Sequence, residues 1–282
     1  MKIVLFDIDG TLVKAGGAGS RALDKAVKEL YGAEGVCARV SWQGCTDTEN
    51  FALVYRYATG KKPTARQFRA LELKYLSLLP AEVERSRKTG DYRKLAGVEK
   101  LLAELSRRKD VMIGLGTGNL KTGALIKLAP SGMLKYFAFG GYGCDSAVRS
   151  ELLKKAVERA EKLAGAVIRP GEVYVIGDTH RDVEAAKAAG YHCAAVLDGF
   201  GDENAVLRSG AELVTRNFSD LEPWLVWLGL ENDPKGVRRG TYVCPDSPIE
   251  HAHFGRTGMD LKAIDDGLIK LRKLKSGRKG RS

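Results

Sequence analysis

The chain opens on an apolar run, residues 2–6, that stops abruptly at Asp7-Ile8-Asp9-Gly10-Thr11, and it returns to that arrangement three times. Residues 110–114, 173–176 and 193–197 are likewise short and mainly apolar. Each gives way to a stretch rich in glycine or acidic residues, as strands buried on both faces do. Helical spacing fills the intervals. Leu101, Leu102 and Leu105 precede the second run, Leu152, Leu153, Val157 and Ala160 the third, and Val183, Ala186 and Ala189 the fourth. This alternation predicts an α/β fold, a Rossmann-like parallel sheet with helices on both faces. Every loop leaving a strand's C-terminal end then opens on one rim, where ligands bind in such sheets.

Residues 14–90 break the alternation. Phe68, Leu71, Tyr75, Leu78 and Leu79 share one helical face, as do Phe51, Val54 and Ala58, and no strand-like run interrupts them. The expected organisation is an α/β core over 1–13 and 91–230 with an all-α insertion over 14–90. Gly16, Gly17 and Gly19 at its start, and Thr89 with Gly90 at its end, mark hinge-like connections. Beyond Leu230, Pro234, Pro245 and Pro248 and the basic residues from Lys270 to Arg281 predict a loosely ordered basic extension over 231–282.

The formal net charge of +11 is unevenly spread: the insertion holds 14 Lys and Arg against 8 Asp and Glu, the extension 12 against 7, and the remainder is balanced. An anionic partner is implied. No apolar stretch approaches the roughly 18 residues of a membrane span, and the first run is too short for a secretory leader, so a soluble cytoplasmic protein is expected. The five cysteines, Cys37, Cys45, Cys144, Cys193 and Cys244, are scattered without a CxxC pair, which argues against a disulfide framework or a zinc ribbon.

Three stretches on the predicted rim carry chemistry. Side chains two apart in an extended chain face the same way, so Asp7 and Asp9 converge where the first strand ends. Like charges that close repel; a divalent cation relieves them, or one carboxyl stays protonated as an acid beside an ionised nucleophile. An acidic turn at Gly10 is the simpler alternative. A calcium loop fails, because Leu12 and Ala18 stand where its glycine and bidentate acid belong. Gly177-Asp178-Thr179-His180-Arg181-Asp182 follows the third run and adds two carboxylates, suited to oxygen-liganded Mg2+ or, alternatively, to capping the next helix. Leu115-Gly116-Thr117-Gly118-Asn119 follows the second run and offers a hydroxyl and backbone amides to a phosphate. Arg149, before a helix near Ser150, supplies a fixed cation, with Lys154 and Lys155 as competitors.

In order and approximate spacing, Asp7-x-Asp9-Gly10-Thr11, then Thr117, then a basic residue, then Gly177-Asp178-x-x-x-Asp182 resemble the haloacid dehalogenase superfamily. The helical insertion and residues 183–190 resemble its phosphoglycolate-phosphatase-like branch, which has a small helical cap. The resemblance covers residues 1–230, and Arg149 departs from it by standing where most members have lysine. It implies a Mg2+-dependent phosphomonoesterase, with Asp7 as nucleophile on phosphorus and Asp9 as acid and then base. Thr117, Gly118 and Arg149 would bind the phosphoryl oxygens. Mg2+ would be held by Asp7, the backbone carbonyl of Asp9, Asp178 and Asp182. Gly44, Thr46 and Asp47 resemble a substrate loop of the cap, with a plain helix-capping role for Thr46 as the equal alternative. The basic insertion points to a small phosphorylated metabolite with additional negative charge, such as a phosphorylated hydroxy acid or sugar phosphate.

Rival readings use the same residues. Dehalogenation has no need of Asp9, whereas a phosphomutase or other phosphotransferase would employ every motif. Imine chemistry at Lys14 or Lys25 is a lesser alternative, and Cys244, His251 and His253 lack a recognised metal-site spacing. The seven basic residues between Lys270 and Arg281, without interleaved aromatics, suit salt-sensitive attraction to nucleic acid rather than base stacking. Monomer and dimer are both compatible with the sequence.

Overall fold

The computed structural model describes residues 1–232 except 41 and 43, together with the backbone of 242–243. β1 (Lys2–Phe6) and β2 (Val13–Ala15) lead into three helices, α1 (Ala18–Tyr31), α2 (Asp47–Thr59) and α3 (Ala65–Thr89). The chain returns through β3 (Tyr92–Lys94) and α4 (Val98–Ser106) to β4 (Val111–Thr117), α5 (Lys121–Leu128) and β5 (Phe139–Tyr142). Then follow α6 (Arg149–Ala164), β6 (Val173–Gly177), α7 (His180–Ala188) and β7 (His192–Val196). The last elements are α8 (Glu203–Arg208), β8 (Leu213–Thr215), α9 (Glu222–Trp227) and β9 (Tyr242–Val243).

Seven strands form one parallel sheet in the order β5-β4-β1-β6-β7-β8-β9. β1 is central, and the chain builds outward on one side through β4 and β5 before crossing back to β6 on the other. That reversal opens a crevice at the C-terminal ends of β1, β4 and β6, where such sheets bind ligands. Both faces are covered. Leu101, Leu102, Leu128 and Trp224 belong to the apolar cluster on one side, and Leu152, Val157, Val183 and Val206 to that on the other, so β1 presents Val4 and Phe6 to the first and Ile3 and Leu5 to the second.

The helices of the insertion have a core of their own, in which Ala22, Leu23, Phe51, Val54, Leu71, Tyr75 and Leu79 are buried together. Capping boxes start two of them: Thr46 with Glu49 on α2, and Thr64 with Gln67 on α3. The two passages between sheet and helices pair as an antiparallel ribbon, β2 with β3. That ribbon and the strands β5, β8 and β9 are absent from the sequence reading, which places β9 in the loosely ordered extension. Three residues are too few to display an alternation, and β5 reads Phe-Gly-Gly-Tyr, with no apolar run to notice. Its glycines answer to packing: a Cβ on Gly141 would overlap the backbone carbonyl of Leu152 on α6.

Among the described residues no helix is long and apolar enough to cross a membrane, and Cys37, Cys45, Cys144 and Cys193 are unpaired. Apart from residues 231–232 and β9, the basic extension lies outside the described residues, and with it Cys244, His251, His253 and the segment assigned to nucleic acid.

Candidate active site

Asp7 follows β1 directly, and its amide donates to the carbonyl of Ile176 on β6 (2.9 Å). Asp178 follows β6. Gly10 adopts φ of +88°, and a Cβ there would overlap the Asp178 carboxylate, so the glycine of the first motif is what lets the second motif approach. Ligand oxygens of Asp7, Asp178 and Asp182 all lie within 4.8 Å of one another, and the three side chains are buried.

Burial, followed by the charge of Asp182, pushes the Asp7 carboxyl up to about 7. The same two causes in the same order raise Asp178 well above the usual carboxylate range. Three buried carboxylates with repulsion of this kind fit a hard divalent cation. Asp182 is the most committed of them: Oδ1 is ion-paired with Arg149, and Oδ2 accepts from the amide (3.1 Å) and hydroxyl (2.7 Å) of Thr179. The capping role and the cluster role thus coexist at this residue. Asp178 accepts from the amide of Phe200 (2.6 Å) and more weakly from the Thr11 hydroxyl (3.5 Å).

Arg149 occupies the first turn of α6 and reaches the cluster. Its guanidinium is ion-paired with Asp182, lies 3.6 Å from Asp7, and donates to the backbone carbonyl of Gly44 (3.1 Å). Lys154 and Lys155 instead pair with Glu151 and Glu158 at the surface. Thr117, at the end of β4, is fully buried; its hydroxyl accepts from the Asn119 carboxamide (2.8 Å) and acts to lower the Asp7 carboxyl, against the larger effect of burial.

The helical layer roofs a cavity of about 400 Å³ above these groups. Gly44, Cys45, Asp47, Asn50, Phe51 and Tyr75 contribute from the insertion, and Asp7, Asp9, Gly118, Asn119, Arg149 and Asp178 from the sheet rim. Thr46 is not in the lining; its fully buried hydroxyl accepts from the Glu49 amide (3.2 Å) as the α2 cap. Asp47 joins the two layers. Its amide donates to Gly118 O (2.7 Å), its carboxylate accepts from the Leu120 amide (2.8 Å), and burial raises its carboxyl above the ordinary range. Lys14 lies 5.4 Å from the centre of the Phe200 ring and Lys25 pairs with Glu82; neither lines the cavity.

The residue that sequence reasoning missed is Lys127. Its ammonium is buried beneath the helical layer, donating to Asp9 Oδ2 (2.6 Å) and Asn119 Oδ1 (2.5 Å), while the Asn119 amide nitrogen donates to the same Asp9 oxygen (2.9 Å). Burial opposes its charge, but Asp9, Tyr75 and Asp47 outweigh that and hold it firmly protonated. A signal existed: Lys127 falls three residues after Ala124 and one before Leu128, on the buried face of α5, where a solvated lysine does not belong.

A family model for haloacid dehalogenase-like hydrolases matches residues 1–190. A phosphoglycolate phosphatase of Pectobacterium atrosepticum is 26% identical over 219 residues, 77% of this chain and 89% of its own. Among solved structures, a hydrolase from Pseudomonas syringae superposes with a TM-score of 0.61 at 22% identity, covering 80% of this chain and 98% of that one. A β-phosphoglucomutase from Clostridium difficile gives 0.60 at 16% identity, covering 81% and 97%. The fold expectation is met by these likenesses and by the sheet itself, and with the family model matching well over half its length, the chain belongs to the haloacid dehalogenase-like hydrolases.

Proposed function

We propose that this protein is a Mg2+-dependent phosphomonoesterase that works through an aspartyl-phosphate on Asp7 and acts on a small anionic phosphorylated metabolite. The observation that carries the reading is the placement of Asp7, buried beside Arg149 and two further carboxylates at the floor of a roofed cavity. Residues 14–90 act as the cap, and Asp7, Asp178, Asp182 and the backbone carbonyl of Asp9 hold the metal. When bound, Mg2+ would neutralise charge on the phosphoryl oxygens and the surrounding carboxylates.

A carboxylate oxygen of Asp7 attacks phosphorus, forming the acyl-phosphate bond as the bond to the leaving oxygen breaks; a proton from Asp9 completes the departing alcohol. Asp9 then takes a proton from water as that water attacks phosphorus, releasing inorganic phosphate and restoring the Asp7 carboxylate. Arg149, Thr117 and the backbone at Gly118 hold the phosphoryl oxygens, so the charge spread over them in the transition state meets donors already in place. The roof excludes bulk water and selects the alcohol.

Wild type and Asp7→Asn, assayed with Mg2+ on a panel of phosphorylated metabolites, test the reading by release of free phosphate. Return of the phosphate to a second sugar hydroxyl, with none set free, would replace hydrolysis by the mutase chemistry that the Clostridium difficile neighbour's name suggests.

The raised Asp7 carboxyl makes metal binding depend on pH. Below about 7 Asp7 holds a proton that Mg2+ must displace, and above it the ligand is already ionised. In the metal-free protein, a carboxyl whose folded value is raised contributes stability at low pH that is lost as pH climbs through about 7. Mg2+ at about a hundredfold excess over Kd should therefore raise Tm by about 5–10 °C at pH 8 and markedly less at pH 5.5. Melting curves at both pH values, with EDTA and with Mg2+, check this. A Mg2+ shift larger at pH 5.5 contradicts the assignment of Asp7 as a ligand.

A further inference from the structure

Among the described residues, two buried side-chain polar atoms have no hydrogen-bond partner, Asn50 Oδ1 and Trp224 Nε1. Trp224 is enclosed in the apolar cluster on one face of the sheet. Asn50 instead lines the cavity and is 9% exposed. Burying a carboxamide oxygen without a donor is costly, since water satisfies that group in the unfolded chain. Such an oxygen beside a cavity points to a donor that arrives with the ligand.

The helix decides which part of the ligand meets it. α2 begins on the rim, where the Asp47 amide donates to Gly118 O (2.7 Å). Asn50 stands three residues on, on the same buried face and about 4.5 Å further along the axis. It therefore belongs to the roof, above the Gly118 backbone and the Arg149 guanidinium that face the phosphoryl group. Leu23, Phe51 and Trp42 line the cavity from the same layer; Leu23 and Phe51 are buried in the core of the insertion, and Trp42 packs against it. Carbons set against these walls leave water without needing a polar partner. The cavity of about 400 Å³ has room for several of them beyond a phosphoryl group.

A carboxamide carries an acceptor and a donor at its two corners and exchanges them by a half-turn. A hydroxyl both donates and accepts, so it answers either orientation. An ammonium answers only the oxygen, and it would enter a cavity that already holds the Lys127 and Arg149 cations. A carboxylate answers only the NH2 corner, and it would join Asp7, Asp9, Asp47 and Asp178. We propose that Asn50 is a specificity-determining residue that accepts a hydrogen bond from an uncharged hydroxyl of the leaving alcohol, separated from the ester oxygen by a short run of carbons lying against Leu23, Phe51 and Trp42. This assignment rests on the phosphomonoesterase reading and specifies the alcohol.

Two esters that differ in one group, 4-hydroxybutyl phosphate and n-butyl phosphate, test it with wild type, Asn50→Leu and Asn50→Ala. Wild type should favour the hydroxy ester by about ten- to hundredfold in kcat/KM, the discrimination expected when the other ester leaves a buried polar group unpaired. Asn50→Leu should bring that ratio to one or below and, by removing an unpartnered buried oxygen, should raise Tm by about 2–4 °C. A purely structural Asn50 would instead lower Tm on substitution and slow both esters by the same factor. Asn50→Ala, which only removes atoms, should also lose the preference, and it carries the comparison if Asn50→Leu does not fold. Calorimetric titration of Asp7→Asn, alone and combined with Asn50→Leu, against both esters in Mg2+ reads the preference without turnover. Equal use of the two esters by wild type, an equal loss on both in the variants, or a preference for 4-aminobutyl phosphate over the hydroxy ester overturns the assignment and leaves the phosphomonoesterase standing. Failure of wild type to release phosphate from any ester, p-nitrophenyl phosphate included, removes the phosphomonoesterase reading. The titration then decides Asn50 alone, and the absence of a difference between the esters there overturns it.

Discussion

Asp7→Asn is expected to lower phosphate release by at least about 10³-fold while leaving the protein folded and able to bind substrate. The amide is nearly the same size as the carboxyl but lacks the anionic oxygen that bonds to phosphorus. The fold should tolerate it, and the reason lies in the surroundings. Asp7 is buried, 7% exposed, close to Asp182, Asp178 and Asp9, and its ionised form is disfavoured by desolvation and by Asp182. A neutral amide removes that repulsion, so the metal-free variant should melt at or above the wild-type temperature at pH 8. Asp9→Asn should behave differently. Its loss, about 10²–10⁴-fold, should fall on esters with poorly departing alcohols and shrink for p-nitrophenyl phosphate, whose leaving oxygen needs no proton. Kinetics with both ester types, circular dichroism and melting with EDTA check the pair. An Asp7→Asn protein that turned over at more than a tenth of the wild-type rate, free of contaminating activity, removes Asp7 as nucleophile.

The sequence made the frame of this site legible because each rim residue follows a buried strand, and buried strands announce themselves as apolar runs. Asp7, Thr117 and Asp178 stand directly after or at the end of β1, β4 and β6 for that reason. The sheet strands that went unread, β5, β8 and β9, are short, and β5 is half glycine because α6 crosses it closely. Lys127 escaped because lysine within a helical pattern reads as a solvated charge, whereas here the helical layer closes over it; burial arises from residues far away in sequence, such as Tyr75, that no local period reveals. Asp47 was legible as a residue of the cap's substrate loop, but not as a link between the two layers. Its proximity to Thr46 marks a helix start, but the contact with the Leu120 amide depends on how the helical layer sits on the rim. Local patterns located residues on the sheet edge; the polar contents of the cavity follow from the docking of two layers.

Removal of the Arg149 guanidinium should be the second large effect, and its signature is a dependence on metal. Arg149→Met is expected to cost about 10³-fold in kcat/KM, since a fixed cation facing the phosphoryl oxygens contributes most in the transition state. The variant also leaves Asp182 and its neighbours without their buried counter-ion, a change that typically costs 3–5 kcal/mol when one partner of a buried pair is deleted. Two routes relieve that cost. At low pH the carboxyls, already raised at Asp7 and Asp178 by burial and by Asp182, take up protons; at high pH Mg2+ supplies the missing charge. The loss of Tm in Arg149→Met should therefore be greatest at pH 8 with EDTA and should shrink on adding Mg2+ or on moving to pH 5.5. Arg149→Lys should keep part of the activity, about one to ten per cent. A single ammonium can neutralise Asp182 but cannot span it and the Gly44 carbonyl together, as the guanidinium does. Lys154→Met and Lys155→Met, which break surface pairs with Glu151 and Glu158, should leave rate and Tm within error of wild type. A full loss of rate in either of these, beside an unaffected Arg149→Met, would transfer the phosphate-binding role away from Arg149 and require α6 to turn its other face to the cavity.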